Sequence, residues 1–475
     1  MAAITEAEDF AGNEDALRPT EPHEKTWGWF AVFNVWANDV QSLFGYTLVA
    51  SLFIGYGVSG WTAFAALIAA GLFVMLMVNL SGAAGEKYGI PYPVFARASM
   101  GTAGAKLPAI MRATVAVFWY GVQVYFASTA LALLIRLVTG AEGGSLFLGL
   151  SGIDWMSFLI VWAFHIVIFW RGMGWVATFL NIAGPFVYAV MIGLVAVLWV
   201  KSDGQLLHHA ATIFANPEGT WGTEVAGFIA IVGTMIAYFA AVMINFSDFS
   251  RYARSKEAMV KGNLAGLPLN MILFSALALL TTAGAAAVYG EQIINPTEIV
   301  ERTDSVLLGV IAAITFFAAT VGINLVANFI PAVNGIANLA PGRISFRQAG
   351  IVTSGFALVI GGLWTAVISN VGISGFVNTL GATLAPLFGI LVVDYYLIRK
   401  QTLNRDALYD MERGPYHYRN GWNHTALLAF GVGAAFSVAA VWVPALAQLE
   451  GYAWVIGAVL GGAVYYLRSP AQPQG

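Results

Sequence analysis

The sequence predicts an all-α membrane protein of twelve transmembrane helices, and three observations carry that prediction. Of 475 residues, 59% are hydrophobic and 10% charged, against about 25% charged in ordinary globular chains, and the mean hydropathy is +0.75. Apolar stretches of roughly 20 residues, the length a hydrocarbon core requires, recur along nearly the whole chain. Lys and Arg accumulate in cytoplasmic loops, and with the N-terminus inside only Arg136, Lys201 and Arg302 of the 22 fall outside. Both termini are therefore expected in the cytoplasm.

The stretches lie near 30–57, 59–83, 105–138, 146–170, 174–200, 223–247, 264–290, 305–331, 349–370, 374–398, 422–446 and 451–468. Residues 1–27 read as a cytoplasmic tail, because the acidic, polar start is unlike a cleavable signal, and 469–475 as a second tail. The first span carries Asn34, Asn38, Asp39, Gln41 and Ser42 in its middle, followed by Gly45. Polar side chains at bilayer depth are costly and usually face a partner, a cavity or a solute. The sixth span has Gly233 and Thr234 in its interior and ends in Asn245, Ser247 and Asp248. Spans interrupted in this way expose backbone and helix ends to solutes, and the first and sixth lie five apart, as equivalent members of two inverted five-span repeats would. The repeats are placed at 28–200 and 201–400, with two further transmembrane helices over 401–468. Residues 89–108 and 331–346 are candidates for short helices at the cytoplasmic mouth.

On a helix, Asn34, Asn38, Gln41 and Ser42 form one polar stripe, with Asp39 to one side. In the third span Trp119 and Gln123 stand four apart, on one face. An aromatic plane beside an amide suits a planar solute, the ring stacking while the amide donates to a carbonyl and accepts from an N–H. Asn324 and Asn328, again four apart, precede Pro331, and Tyr238 with Phe239 offers a second aromatic wall. Core packing explains each of these features equally well when it is taken alone. His165 on its apolar helix reads as a structural residue, and Asp394 as the partner of Arg399 or Lys400.

No cysteine is present, which excludes disulfides and thiolate chemistry. The sequence has no Walker motif, no H-E-x-x-H and no G-x-S-x-G, so neither an enzyme nor an ATP-driven pump is expected. No cofactor, metal or nucleic-acid partner is expected either; the partners are a small planar heterocycle and the lipid bilayer, and the chain is read as a monomer.

PYPVFARASMG at 91–101, FWYGVQVY at 118–125, NFSDFSRYARS at 245–255, INLVANFIPA at 323–332 and APLFGILVVDYYLIRK at 385–400 resemble hallmark stretches of the nucleobase-cation symporter-1 family, which includes a bacterial hydantoin carrier. Their order and spacing hold over about residues 25–420. The resemblance implies a five-plus-five inverted-repeat, leucine-transporter-like fold with two extra C-terminal helices, and a site between broken helices 1 and 6. It implies a secondary active transporter of the bacterial inner membrane importing a nucleobase or a related ring such as allantoin or hydantoin. By motif, Trp119 is the stacking residue, Gln123 and Asn328 bind the ring, and Phe239 falls where a second stacking tryptophan sits in the hydantoin carrier. Anchoring on Trp36 puts Ser42 against substrate and gives Asn38 and Gln41 the two carbonyl positions of a sodium site, whereas a shift of one to three residues promotes Asp39. Sodium-coupled relatives supply a carbonyl and two hydroxyls from helix 8, where this chain has Ala319, Gly322 and Ile323. A hard cation needs oxygen ligands, so the coupling ion is expected to be H+ rather than Na+, with Asp39 its carrier. An amino-acid or amine transporter of the same fold, a sodium-coupled carrier, and a sensor or channel without coupled transport are the competing readings.

Overall fold

A computed structural model describes residues 17–141, 144–171, 174–216, 218–337 and 343–469. Among these, extended chain is confined to isolated bridges, and every one of the twelve expected stretches holds helix. The first span is two helices, α1 (Trp29–Val40) and α2 (Leu43–Gly55). Then come α3 (Gly60–Tyr88), α4 (Tyr92–Met100), α5 (Lys106–Thr139), α6 (Gly152–Arg171), α7 (Gly174–Lys201), α8 (Leu206–Ala215) and α9 (Trp221–Ile244). The second half holds α10 (Lys256–Leu264), α11 (Asn270–Tyr289), α12 (Val306–Ile323), α13 (Ile330–Ala337), α14 (Phe346–Gly362), α15 (Ile373–Val393), α16 (His424–Trp442) and α17 (Ala453–Arg468). Eight helical runs among the described residues are long and apolar enough to cross a membrane.

Residues 89–108 contain the expected short helix, α4. It begins after Gly89, whose φ of 69° ends α3 and where a Cβ would meet the Thr20 carbonyl at 2.3 Å; glycine alone fits such a left-handed, crowded corner. Residues 331–346 behave differently. α13 continues α12 through a π-helical turn, Asn324–Phe329, and residues 338–342 lie outside the described residues. Pro331 has no N–H to offer Ala327, four residues back, and Arg112 Nη2 of α5 donates to that carbonyl at 2.8 Å.

The sixth span departs from expectation. α9 runs unbroken through Gly233 and Thr234 and ends only at Asn245. Gly233 serves packing, since a Cβ there would lie 2.0 Å from the Gly451 carbonyl. Small residues similarly seat the C-terminal helices: a Cβ on Gly389 of α15 would lie 1.8 Å from the Ala458 carbonyl of α17, the close approach by which membrane helices gain dispersion contacts.

Below α15, Asp394 and Arg399 form an ion pair with side chains 1% and 6% exposed. Arg399 Nε donates to Asp394 at 2.7 Å, and its Nη2 to the Ala98 carbonyl and Tyr418 hydroxyl at 2.7 Å each. Tyr465 OH donates to the other carboxylate oxygen at 2.8 Å. Arg399, not Lys400, is the partner of Asp394. His165 is also structural: its Nδ1 lies 2.8 Å from the Val161 carbonyl and its Nε2 3.4 Å from Asn324 Nδ2, so it ties α6 to the π-turn.

Candidate functional site

The break in the first span lies between Gln41 and Ser42. α1 ends with Gln41 near the bridge region, and Ser42 turns extended, φ −73° and ψ 157°, while its Oγ accepts from Gly45 N–H at 3.0 Å and caps α2. Helix ends leave orphan carbonyls and N–H groups, and side chains from other helices take them up here. Tyr238 OH of α9 donates to the Asp39 carbonyl at 2.9 Å and lies 3.3 Å from Ser42 Oγ. Thr320 of α12 accepts from Leu43 N–H at 3.5 Å.

Around this break the predicted residues separate. Trp119, buried on α5, meets Tyr238 edge to face at 5.4 Å and 83°. Phe44 at 4.8 Å and Phe376 at 5.3 Å complete the aromatic enclosure. Phe239 is elsewhere. One residue along a helix is a turn of about 100°, and its ring lies against Trp36 at 6.1 Å and Tyr238 at 4.8 Å. Trp36 in turn stacks on Phe246 at 5.3 Å and donates to Asn263 at 2.7 Å. The ring opposite Trp119 is thus Tyr238, and Phe239 belongs to the packing behind it.

The amides around the break are incompletely paired. Gln123, one turn from Trp119 on α5, is buried and its Oε1 accepts nothing among the described residues. Gln41 Nε2 donates to Asn270 at 3.2 Å, but Gln41 Oε1 is unpartnered among the described residues. Asn38 Nδ2 donates to the Asn34 carbonyl at 2.8 Å, while its Oδ1 is unpartnered. Asn270 is further held by the Tyr188 hydroxyl. Native interiors leave few such atoms; two of these acceptors flank the helix break and the third stands one turn from Trp119, and each can take an N–H donor. Asn328 is anchored differently, its Nδ2 donating to Asn324 Oδ1 at 3.0 Å, and Asn324 in turn donates to the Tyr120 carbonyl at 3.1 Å.

For an ion, Asp39 is half-buried at the end of α1. Ala319, Gly322 and Ile323 are buried on α12 and supply no hydroxyl. Sequence patterning passes over Thr320, whose hydroxyl reaches the break from the neighbouring position. It also misses Phe44, Phe376 and the amide partner Asn270. No group of three His, Cys, Asp or Glu side chains among the described residues could hold a metal.

Residues 19–461 match the model of a family described as permease for cytosine/purines, uracil, thiamine and allantoin. The chain is 32% identical to the allantoin permease of Bacillus subtilis, over 97% of this chain and 94% of that protein. It is 25% identical to the hydantoin permease of Microbacterium maritypicum, over 88% and 83%. The fold is similar to that of a solved nucleobase-cation-symport-1 family transporter in a closed conformation with bromovinylhydantoin bound, at a TM-score of 0.76 and 20% identity, covering 95% of this chain and 94% of that one.

Proposed function

The chain belongs to the family of permeases for cytosine/purines, uracil, thiamine and allantoin, a family of multi-pass membrane transporters, and from that premise we propose that it is a proton-coupled symporter importing allantoin or a closely related hydantoin-type ring. The observation that carries this reading is the pairing of an aromatic wall, Trp119 with Tyr238, with the unpartnered acceptor Gln123 Oε1 one turn away. A hydantoin-type ring is flat and edged with alternating N–H and carbonyl groups. Inserted between Trp119 and Tyr238, it replaces their edge-to-face contact with stacking and gives N–H donors to Gln123 and, across the break, to Gln41 and Asn38. Asn328 and Ser42 complete the polar rim. An aliphatic amino acid would make no use of the facing rings.

Movement follows from the same construction. Two five-helix repeats, at 28–200 and 201–400, interleave around the site, and alternating access comes from one bundle of helices rocking against the other, with the helices over 401–468 packed outside them. The protein functions as a monomer in the bacterial inner membrane with both termini in the cytoplasm, and needs no cofactor.

Asp39 carries the proton. A carboxylate at a helix break is costly to keep charged at membrane depth, and Tyr238 couples it to the ring site by holding its backbone carbonyl. Sodium coupling is the second reading, and Thr320 is the observation in its favour, because its hydroxyl could turn from Leu43 toward a cation. Uptake of labelled allantoin into proteoliposomes separates the two. An inward proton gradient without sodium should drive accumulation that an uncoupler collapses; accumulation driven only by a sodium gradient would overturn proton coupling, and no uptake under either gradient would overturn the substrate.

A further inference from the structure

A cavity of about 220 Å³ lies away from the aromatic site. Its walls include Arg112 of α5, Tyr92 of α4, and Asn245 and Asp248 just past α9. Arg112 is seven residues from Trp119 toward the start of α5, about 10 Å along the axis, on the side rich in Lys and Arg that reads as cytoplasmic.

Its polar groups are buried and unspent. Arg112 is 3% exposed; Nη2 is used on Ala327, but Nε and Nη1 have no acceptor among the described residues. No carboxylate among the described residues stands within ion-pair distance of it. Asp248 is committed elsewhere, accepting from Tyr92 N–H at 2.7 Å and Asn245 Nδ2 at 3.0 Å. A carboxylate only accepts, so the Asn245 amide is fixed with Oδ1 as its free acceptor, and that atom is unpartnered, as is Tyr92 OH. The charged residues on the wall are Arg112, Arg251 and Asp248, a balance of one positive charge.

We propose that this cavity binds a small ureido carboxylate. The carboxylate accepts from Arg112 Nη1, a charge-assisted hydrogen bond, and ureido N–H groups donate to Asn245 Oδ1. Tyr92 OH serves either end. The volume is below the 300–1,000 Å³ common for drug-sized ligands and suits a molecule of this size. The inference rests on the reading of the cargo as a hydantoin-type ring. Hydrolytic opening of such a ring adds one water across a ring C–N bond: the carbonyl carbon takes the hydroxyl and, losing a proton, becomes a carboxylate, while the nitrogen takes the hydrogen and becomes a terminal ureido NH2. The reaction class that consumes the imported ring therefore produces the anion this cavity accepts. Bound there, it bridges α4, α5 and the end of α9, and restrains the bundles when product accumulates.

Purified full-length protein, held in saturating allantoin, is titrated with N-carbamoylglycine, acetate and glycinamide while its melting temperature is followed. N-carbamoylglycine alone should give a saturable rise. Arg112→Gln should weaken it more than tenfold and Tyr92→Phe about fivefold, as expected for lost hydrogen bonds to a charged ligand, and Tyr92→Phe, which removes only an unpartnered hydroxyl, should leave allantoin binding unchanged. No rise with N-carbamoylglycine, an equal rise with acetate, or a rise that both variants retain would overturn the proposal. The anion arm is also run without allantoin. Failure of allantoin to bind defeats the reading of the cargo, whereas allantoin binding with no response to N-carbamoylglycine defeats this inference alone.

Discussion

Beneath α15, every hydrogen-bonding atom of the Asp394 carboxylate is occupied, by Arg399 Nε and Tyr465 OH, and the Arg399 guanidinium spends its remaining reach on Ala98 and Tyr418. At the break in the first span Asn38 Oδ1 and Gln41 Oε1, and one turn from Trp119 Gln123 Oε1, are equally buried and accept nothing among the described residues. Both clusters sit in an apolar protein, where an unmade hydrogen bond is expensive. A closed network fixes the arrangement of helices, because each member is held by the others. An open one has acceptors left for a ligand, and beside the Trp119–Tyr238 wall it is the cluster proposed to take one.

The largest effect is expected in the closed network. Asp394→Ala leaves the Arg399 charge buried without its counterion, a loss of about 3–5 kcal/mol, and should abolish or sharply lower the cooperative melting of the purified protein. A melting temperature within a degree or two of wild type would mean that the closed network is not structural.

The open cluster should respond in function and not in stability. Asp39→Asn should bind allantoin normally yet lose accumulation driven by a proton gradient in proteoliposomes; uptake that persists with its pH dependence intact removes Asp39 as the carrier. Trp119→Ala deletes one stacking face, worth about 1–3 kcal/mol by analogy with base stacking. Equilibrium binding of labelled allantoin should weaken by more than tenfold, while Phe239→Leu, behind the site, should change affinity far less. The smallest effect is expected for Thr320→Val. If protons drive transport, uptake should change by less than about twofold, since one neutral hydrogen bond is worth roughly 1 kcal/mol or less; collapse of uptake together with a new sodium dependence in flux assays would favour the sodium reading.

Much of this architecture is legible in the sequence, because hydropathy and charge placement act over whole spans. The polar run at 34–42 marks the broken helix, since only a break or a site repays such residues at that depth. What periodicity cannot deliver is facing once a helix breaks. The angular count used for Asn34 to Ser42 assumes one continuous helix, whereas Ser42 is extended and restarts the register in α2. The same limit exchanges Tyr238 for Phe239, adjacent residues about 100° apart. Gly233 reads as a weak point in α9, yet it answers to the Gly451 backbone, a contact between segments far apart in sequence. Arg112 counts as one more loop cation in the charge tally. Its signal lies in Pro331, which orphans the Ala327 carbonyl and so requires a donor from another helix.

Gln123→Leu puts the difference between the two clusters to the most direct test, because it removes the open amide and keeps nearly the same volume. Melting temperature and allantoin affinity are measured on the same purified sample. The apo variant should be at least as stable as wild type, since no bond to Oε1 is lost, with allantoin binding weakened about tenfold for the missing hydrogen bond. A destabilised protein that still binds allantoin with wild-type affinity would contradict the assignment of Gln123 to an open, ligand-binding cluster.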